Sequence, residues 1–295
     1  MILVAGSANL DFVVRANHIP VPGETVMGRD FKTYPGGKGA NQAVACARAG
    51  DAPTAMLLAL GDDDFARPLE KSLTEAAVQL HIKRVSDEVT GTAFICVSDD
   101  AENAITVAPG ANFALHPSDL VPLAGFSHLL LQLEIPLDTV TAYARAAKSH
   151  QVKVVLNAAP ARELPAELLA LIDILIVNEG ELATLAMHQG SIDECLSRIQ
   201  VPWVIVTLGA EGCRARIDGQ LLVQPAFPIK PVDTTGAGDT FCGAFVAALS
   251  KGPGAADALR QASAASALAC LVPGAQSSIP SHEQVQNFLK NHATS

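Results

Sequence analysis

The stretch that most constrains this chain is residues 233–241, DTTGAGDTF. Apolar residues follow it at helical spacing, which predicts that Gly236 and Gly238 lie at a turn opening a helix. The first N–H groups of a helix lack intrahelical partners and carry the positive end of its dipole. Because glycine lets an anion approach the bare backbone, the sequence predicts an anion-binding turn here.

Asp239 is the unusual residue of this turn, because it places a carboxylate where an anion is expected. A carboxylate would repel a bound phosphate unless its task is to take a proton from the group that attacks that phosphate. The alternative is an ordinary loop-to-helix turn with an Asp near the N-cap.

A second glycine-rich string, GGKGANQA, occupies residues 36–43. It is not a phosphate-binding Walker A loop, because no Ser or Thr follows Lys38 and the glycine spacing differs. One interpretation is a tight turn before an alanine-rich helix. In the functional interpretation, the glycines, Gly37 among them, bring backbone N–H groups to a ligand hydroxyl, and Lys38 and Asn41 add side-chain hydrogen bonds.

The two strings together resemble the two signatures of the PfkB-type carbohydrate kinases, also called the ribokinase family. Residues 36–43 are similar to the N-terminal signature in its ribokinase form, and residues 233–241 to the C-terminal signature. The resemblance covers nearly the whole chain and has both signatures in the expected order.

The rest of the chain alternates apolar strand-like runs with amphipathic helical stretches, which predicts a mostly parallel sheet. Near Ile2–Ala5 a continuous apolar run predicts a central strand. The family fold implied by the resemblance is a three-layer α/β/α single domain over residues 1–295. Segment 12–35, with strand-like pieces at 12–14 and 25–27, and segment 91–108 are predicted as β-hairpins. In the family they form a small β lid over the sugar that often pairs with a second subunit. A helical region is predicted near 179–199.

The resemblance also assigns roles to residues of the site. Asp239 would be the catalytic base, with the N–H groups of Gly236, Ala237 and Gly238 holding the charge on the transferred phosphoryl group. The sugar would be held by Asp11, Gly37, Lys38, Asn41 and Glu134, with Asp11 placed just past the end of the first strand. The nucleotide and its Mg²⁺ would be held near Asn178, Glu181, Thr207, Gly209, Gly212 and Gly238.

One of these assignments has an alternative interpretation, and a further site implied by the resemblance differs from the usual family pattern. Asn178 and Glu181 also fit a capping box at a helix start, and both interpretations can hold together. A monovalent cation, usually K⁺ in the family, would be bound by Asp233, Thr235, Ala269, Val272, Gly274 and Ser278. Val272 and Pro273 replace the polar or basic residues usual at this point, which backbone ligation tolerates.

Composition narrows the classes of partner. The chain of 295 residues carries a formal net charge of −10, which argues against nucleic acid or an anionic membrane as a main partner. The six cysteines show no metal-ligand spacing, and no apolar run reaches the length of a membrane helix. These features, with an N-terminus lacking a basic leader, predict a cytoplasmic protein with reduced thiols.

The sequence therefore predicts an ATP-dependent sugar kinase that phosphorylates the primary hydroxyl of a free pentose, D-ribose first. A deoxyribokinase stays open, because residues 276–280 (QSSIP) are similar to that branch, as does another sugar or nucleoside kinase of the family. The alternative from a different class is a non-catalytic sensor of sugar or nucleotide built on the same fold, which would have no need to keep Asp239.

Overall fold

The computed structural model describes residues 1–100, 102–252 and 254–292. Ala101, inside the second predicted lid segment, and residues 293–295 of the predicted domain lie outside this part. The strands are β1 Ile2–Ala5, β2 Asn9–Arg15, β3 Arg29–Gly36, β4 Thr54–Gly61, β5 Gln79–Val85, β6 Thr92–Val97, β7 Asn103–Ala108, β8 His128–Leu131, β9 Lys153–Asn157, β10 Ile174–Asn178, β11 Trp203–Thr207, β12 Cys213–Ile217 and β13 Gln220–Gln224.

The helices lie between these strands or after them. They are α1 Lys38–Val44, α2 Ala66–Glu75, α3 Leu137–Ser149, α4 Ala166–Leu171, α5 Glu179–Ala186, α6 Ile192–Arg198, α7 Ala237–Ser250, α8 Ala255–Ala269 and α9 His282–Asn291. A π-helical turn, Ala45–Ala49, extends α1. None of the described helices is long and apolar enough to cross a membrane.

The described chain forms a nine-stranded sheet in the order β13-β12-β11-β10-β9-β8-β1-β4-β5. Every pairing from β5 to β11 is parallel, and only β12 and β13 are added antiparallel at one edge. The βαβ alternation read from the sequence predicts this arrangement, because parallel neighbours need helical crossovers. The predicted mostly parallel sheet is confirmed.

The central strands bury side chains on both faces of this sheet. In β1, Ile2 and Val4 join the core beneath α1, α2, α7, α8 and α9, whereas Leu3 and Ala5 join the core beneath α3, α4, α5 and α6. This is the two-residue period of a strand, with both faces apolar because helices cover both. The predicted α/β/α layering is therefore confirmed.

A second, four-stranded sheet has the order β3-β2-β6-β7. Both predicted lid segments contribute two strands to it, so the two segments do join into one sheet. The prediction was wrong in detail for the first segment. Its second strand is Arg29–Gly36 and not the apolar Thr25–Met27, because β3 is a mostly exposed strand whose polar residues hide it from a hydrophobicity pattern.

The helical region predicted near 179–199 is two helices, α5 and α6. Met187 ends α5 in a left-handed conformation with φ 46°, and Ser191 starts α6 with a capping box to Glu194. The capping pattern S-x-x-E was present in the sequence and could have located this second helix start.

The two glycine-rich strings come together because α1 and α7 pack in close contact. A Cβ atom built on Gly243 of α7 would lie 2.5 Å from the Ala45 Cβ and from the Gln42 carbonyl oxygen. A Cβ on Gly50 would overlap Ala247 in the same interface. Both contacts are shorter than real Cβ atoms allow, so only glycine permits this approach.

We predict that Gly243→Ala lowers the free energy of unfolding by about 1–3 kcal/mol, because the added methyl group must push α1 away from α7. Denaturant unfolding followed by circular dichroism measures this. The matched control is Gly180→Ala in α5, where the added Cβ meets only Asn178 Oδ1 at 3.5 Å. Because alanine is favoured over glycine inside a helix, the control should be neutral or stabilising. Equal stability of the two variants would contradict the close-packing argument.

Candidate active site

The candidate site lies at the carboxyl ends of the parallel strands, where open α/β sheets bind their ligands. Chain segments that follow β1, β8 and β10 supply Ser7, Glu134 and Glu181, and the last residue of β9 supplies Asn157. The N-termini of α1 and α7 point into the same region. Residues from the N-terminal and C-terminal halves of the chain thus meet at the carboxyl ends of the strands.

Asp239 is buried in the first turn of α7, with 9% of its surface exposed. Its Oδ2 accepts a hydrogen bond from Asn41 Nδ2 and its Oδ1 accepts one from Gln42 Nε2, each at 2.9 Å. Two of the sequence-predicted residues, Asp239 and Asn41, are therefore in direct contact although 198 positions separate them. Gln42 is a site residue that the sequence analysis missed, although it lies inside the GGKGANQA string.

The turn before α7 has the conformation expected for an anion site. Gly236 lies at the N-cap with φ 72°, and among the described residues no side chain caps the helix. A Cβ on Gly238 would meet nothing within 4 Å, so the backbone there faces open space. The Ala237 N–H, however, donates to the Thr234 carbonyl at 3.2 Å. The predicted set of three N–H donors is therefore not fully free in this conformation.

Glu134 lies at the N-terminus of α1. Its Oε2 accepts hydrogen bonds from Ser7 Oγ at 2.5 Å and from the Lys38 N–H at 3.1 Å, and its Oε1 is 4.0 Å from Lys38 Nζ. The carboxylate thus faces the positive end of the helix dipole. Ser7 also takes part in capping α1, since Gly39 and Ala40 donate to its hydroxyl and carbonyl. Ser7 was not predicted as a site residue.

Gly37 precedes α1 with φ 88°, and a Cβ there would lie 2.7 Å from the Asn9 backbone nitrogen. This tight passage lets the α1 N-terminus sit directly against the segment that follows β1. The alternative interpretation of the GGKGANQA string, a turn before an alanine-rich helix, is confirmed. The glycine turn at Gly37 and the polar groups of Lys38 and Asn41 therefore lie together at the N-terminus of α1.

Asp11 follows the end of the first strand, as the sequence analysis expected, and it lies within β2 of the small sheet. Its carboxylate lies against Gly36 in the neighbouring strand β3. Burial, reinforced by the negative charges of Glu134 and Asp239 and opposed by Lys38, raises the pKa of Asp11 to about 7. The small sheet therefore contributes a carboxylate to the site formed by the large one.

Lys38 is the cation among these carboxylates. Asp239 above all, with Glu134 and Glu181, raises the pKa of Lys38 despite burial, which opposes the shift. Asp11, Glu134, Asp239 and Glu181 are thus balanced by the half-buried ammonium group of Lys38. Among the described residues, no three His, Cys, Asp or Glu side chains converge to hold a metal ion by themselves.

Asn178 and Glu181 form the capping box that the sequence allowed. The Glu181 N–H donates to Asn178 Oδ1 and the Asn178 N–H donates to Glu181 Oε2, both at 2.8 Å. Burial raises the pKa of Glu181, against the effect of the Asn178 hydrogen bond and of Lys38. Its coupling to Lys38 and Asp239 places Glu181 beside the site and not only at a helix start.

The predicted nucleotide turn follows β11, the neighbour of β10. Thr207 pairs in register with Asn178, so both lie at the same edge of the sheet. Gly209 and Gly212 flank a short 3₁₀ turn with φ 55° and 95°. This turn and Asp239 thus lie at the same carboxyl end of the sheet, and among the described residues no hydrogen bond joins residues 207–212 to Asp239.

Asp233 joins the two segments predicted to bind a monovalent cation. Its Oδ1 accepts from the Thr235 N–H at 2.9 Å and the Thr235 hydroxyl at 2.7 Å, and its Oδ2 accepts from the Gly274 N–H at 2.8 Å. Burial alone would raise the pKa of Asp233, but these hydrogen bonds outweigh it and lower the pKa. The 233–235 and 272–278 segments are therefore in contact.

The remaining predicted ligands lie on the second segment or, for Ala269, at the end of α8 just before it. The Val272 N–H donates to the Ala269 carbonyl at 3.2 Å, and the buried Ser278 hydroxyl donates to the Ala275 carbonyl at 2.8 Å. A Cβ on Gly236 would lie 3.1 Å from the Ala275 Cα. The segment thus packs directly against the turn that opens α7. The oxygen atoms of its carbonyl and hydroxyl groups are ligands that suit a hard cation.

Comparison with known proteins agrees with this geometry. Residues 1–282 match the model of the pfkB family carbohydrate kinases. The chain is 39% identical to the ribokinase of Haemophilus influenzae and 34% identical to the deoxyribokinase of Salmonella typhi, in both cases over 98% of this chain and 98% of the other.

Among solved structures, the fold is similar to the ribokinase of Arabidopsis thaliana complexed with ribose and ATP. The TM-score is 0.90 at 34% identity, covering 98% of each chain. A match to the family model over nearly the whole sequence, with relatives above 30% identity along their full length, settles the family. The chain belongs to the pfkB family of carbohydrate kinases.

Proposed function

We propose that this kinase transfers the γ-phosphoryl group of ATP to the primary hydroxyl of a free pentose, D-ribose first, giving ribose 5-phosphate. The observation that carries the proposal is the charge balance of the site. Glu134 and Asp239 lie close enough to raise the pKa of both Asp11 and Lys38, and among the described residues Lys38 is the one cation that lowers the pKa of Asp11. Such a site favours a neutral polyhydroxyl ligand and repels a phosphorylated sugar.

Free hydrogen-bonding capacity supports the same ligand. The buried Asn41 Oδ1 has no partner among the described residues, although Asn41 Nδ2 is held by Asp239. A buried acceptor without a donor is costly, and a sugar hydroxyl would satisfy it. We propose that Asp11, Gly37, Lys38, Asn41 and Glu134 bind the sugar in this way.

The chemistry that these residues provide is positioning and proton transfer. Asp239 would accept the proton of the attacking primary hydroxyl, and the N–H groups of Gly236, Ala237 and Gly238 would face the charge that develops on the transferred group. For Ala237 this requires its weak bond to Thr234 to open. Bound MgATP supplies the electrophilic phosphoryl group and the charge neutralisation that phosphoryl transfer requires.

We further propose that Asn178, Glu181, Thr207, Gly209, Gly212 and Gly238 line the side of the site that receives the nucleotide phosphates and Mg²⁺. A magnesium ion keeps several waters and is usually held by few protein carboxylates. The capping-box geometry leaves Glu181 Oε1 outside the bond to Asn178, so the structural and the nucleotide roles are compatible. ATP use fits a site of action in the cytoplasm.

The experiment that tests the substrate is a panel of free pentoses, hexoses, phosphosugars and nucleosides, compared by kcat/KM with MgATP. D-Ribose should rank first, with 2-deoxyribose next. Deoxyribose ranking above ribose would favour a deoxyribokinase, in line with the Salmonella relative. A phosphosugar or nucleoside exceeding every free sugar tenfold would overturn the proposal, and the absence of turnover with any acceptor would favour a sensor.

We predict that Asp239→Asn lowers kcat by at least about 10²-fold, because loss of a general base typically has an effect of this size. Sugar binding, measured by calorimetry without nucleotide, should be largely retained. A variant within a few-fold of the wild-type rate in a coupled ADP assay would exclude Asp239 as the base.

We predict that sugar binding near pH 6 releases close to one proton. Asp11, with its pKa raised to about 7, is mostly protonated there, and sugar hydroxyls donate to its ionised form. Affinity should therefore rise about tenfold per pH unit below pH 7 and level off above it. Calorimetry in two buffers of different ionisation enthalpy measures the proton. Asp11→Asn should bind weakly without this pH dependence, and a flat wild-type profile from pH 5.5 to 8 would refute the role.

We propose that Asp233, Thr235, Ala269, Val272, Gly274 and Ser278 bind K⁺ and that the ion holds the turn before α7 in its anion-binding conformation. The contact between Ala275 and Gly236 would transmit the effect of the bound ion to this turn. Turnover should rise when K⁺ replaces Na⁺ at constant ionic strength, and Asp233→Asn should weaken the response. Identical rates in the two salts would contradict the site.

We also propose that the chain acts as one domain, residues 1–295, with segments 12–35 and 91–108 as a lid, and that two lids pair in a homodimer. The outer face of the small sheet carries Phe12 stacked with Phe94 at 5.4 Å between ring centroids, and Phe31 and Phe94 are 63% and 54% exposed. Exposed aromatic patches of this kind mark interfaces. Phe94→Asp should shift sedimentation from dimer to monomer, and a monomeric wild type at micromolar concentration would count against pairing.

A further inference from the structure

Gln42 is one of the two side chains that donate hydrogen bonds to the Asp239 carboxylate. Gln42 is fully buried in α1, and its Nε2 donates to Asp239 Oδ1 at 2.9 Å. Asn41, the other donor to Asp239, is the one that keeps an unpartnered oxygen and so has capacity left for a ligand. Gln42 has no such capacity, because both ends of its amide are occupied by protein groups.

The amide of Gln42 belongs to a chain of buried amides that ends on the backbone of the large sheet. Its Nε2 also donates to Asn157 Oδ1 at 2.9 Å, and its Oε1 accepts from Gln132 Nε2 at 2.6 Å. Asn157 Nδ2 in turn donates to the Ile176 carbonyl in β10 at 3.1 Å. Gln132 is fully buried and Asn157 is 8% exposed, so water does not readily replace these bonds.

The direction of every amide in this chain follows from the carboxylate. An ionised Asp239 only accepts, so Gln42 must present its NH₂ group and turn its oxygen toward Gln132. Gln132 must then present its own NH₂ group to that oxygen. Reversing one amide would place two acceptors or two donors in contact inside the core, where unmade hydrogen bonds are most costly.

We infer that Gln42, oriented by Gln132 and Asn157, is a positioning residue that fixes the rotation of the Asp239 carboxylate relative to the sugar hydroxyl. This inference rests on the proposed role of Asp239 as the base. With a donor on each oxygen, the carboxylate cannot rotate about its Cβ–Cγ bond. Its orientation is fixed relative to the large sheet, because the amide chain ends on the Ile176 carbonyl in β10. Misplacement of a reacting group by about 1 Å can cost about 10²-fold in rate.

The first test is Gln42→Met, which keeps the length of the side chain and removes the donor. We expect kcat to fall about 10–100-fold while the KM for the sugar changes less than about threefold, because Gln42 does not face the sugar. The control is Thr139→Val in α3, a buried hydroxyl that donates to the Leu115 carbonyl on the other side of the sheet. The control should lose stability with kcat unchanged.

The second test asks whether Gln42 acts through Asp239. In the Asp239→Asn background, Gln42→Met should change the remaining rate less than about twofold, since residues that act as a unit are non-additive. Equal losses in both backgrounds would make Gln42 merely structural and overturn the inference. A folded Gln42→Met enzyme with wild-type kcat would overturn it as well.

Gln132→Met keeps the test valid if Gln42→Met does not fold. It leaves Asp239 and Gln42 in place and removes only the donor that orients Gln42, so we expect a smaller fall in kcat, about 3–10-fold, with KM unchanged. An unchanged kcat in a folded Gln132→Met enzyme would contradict the amide chain. Should Asp239→Asn itself prove active, the proposed base is wrong, and that outcome is distinct from a failure of Gln42.

Discussion

The close contact between α1 and α7 is the constraint on which the site depends. Asp239 on α7 and the donors on α1 are almost two hundred residues apart, and they meet only because Gly243 and Gly50 remove the side chains that would separate the helices. The contact lies one turn from Asp239, so a displacement there is transmitted directly to the carboxylate. Packing that looks like ordinary core structure thus sets the geometry of the candidate base.

Charge and helix dipoles are divided between the two sides of the site. The α7 turn presents open backbone to an anion, whereas Asp11 and Glu134 lie near Lys38 on the proposed sugar side. A chain with net charge −10 cannot attract a polyphosphate through its overall field. Local N–H donors must supply that attraction, while the carboxylates reserve their part of the site for hydroxyl groups. In the proposed mechanism, Asp239 lies between the two sides, where the sugar hydroxyl would meet the phosphoryl group.

Much of this arrangement could be predicted from the sequence because it follows local rules. The helix start at Ala237, the parallel sheet and the Asn178–Glu181 capping box each have a short-range pattern, and all three were confirmed. That strand β2, which carries Asp11, belongs to a second sheet could not be predicted, because its pairing with β3 and β6 is set by long-range contacts. An exposed strand such as β3 carries too few apolar residues to show a period.

Gln42 and Gln132 were visible in the sequence as polar residues inside apolar or alanine-rich runs, yet no spacing rule connects them to Asp239. Their role depends on which oxygen each amide turns toward, and that is decided by partners from α7, β9 and the segment after β8. A buried amide is tolerated only where its neighbours complete it. The polar residue that breaks an apolar pattern therefore marks where a functional group elsewhere in the chain needs a partner, without saying which group it is.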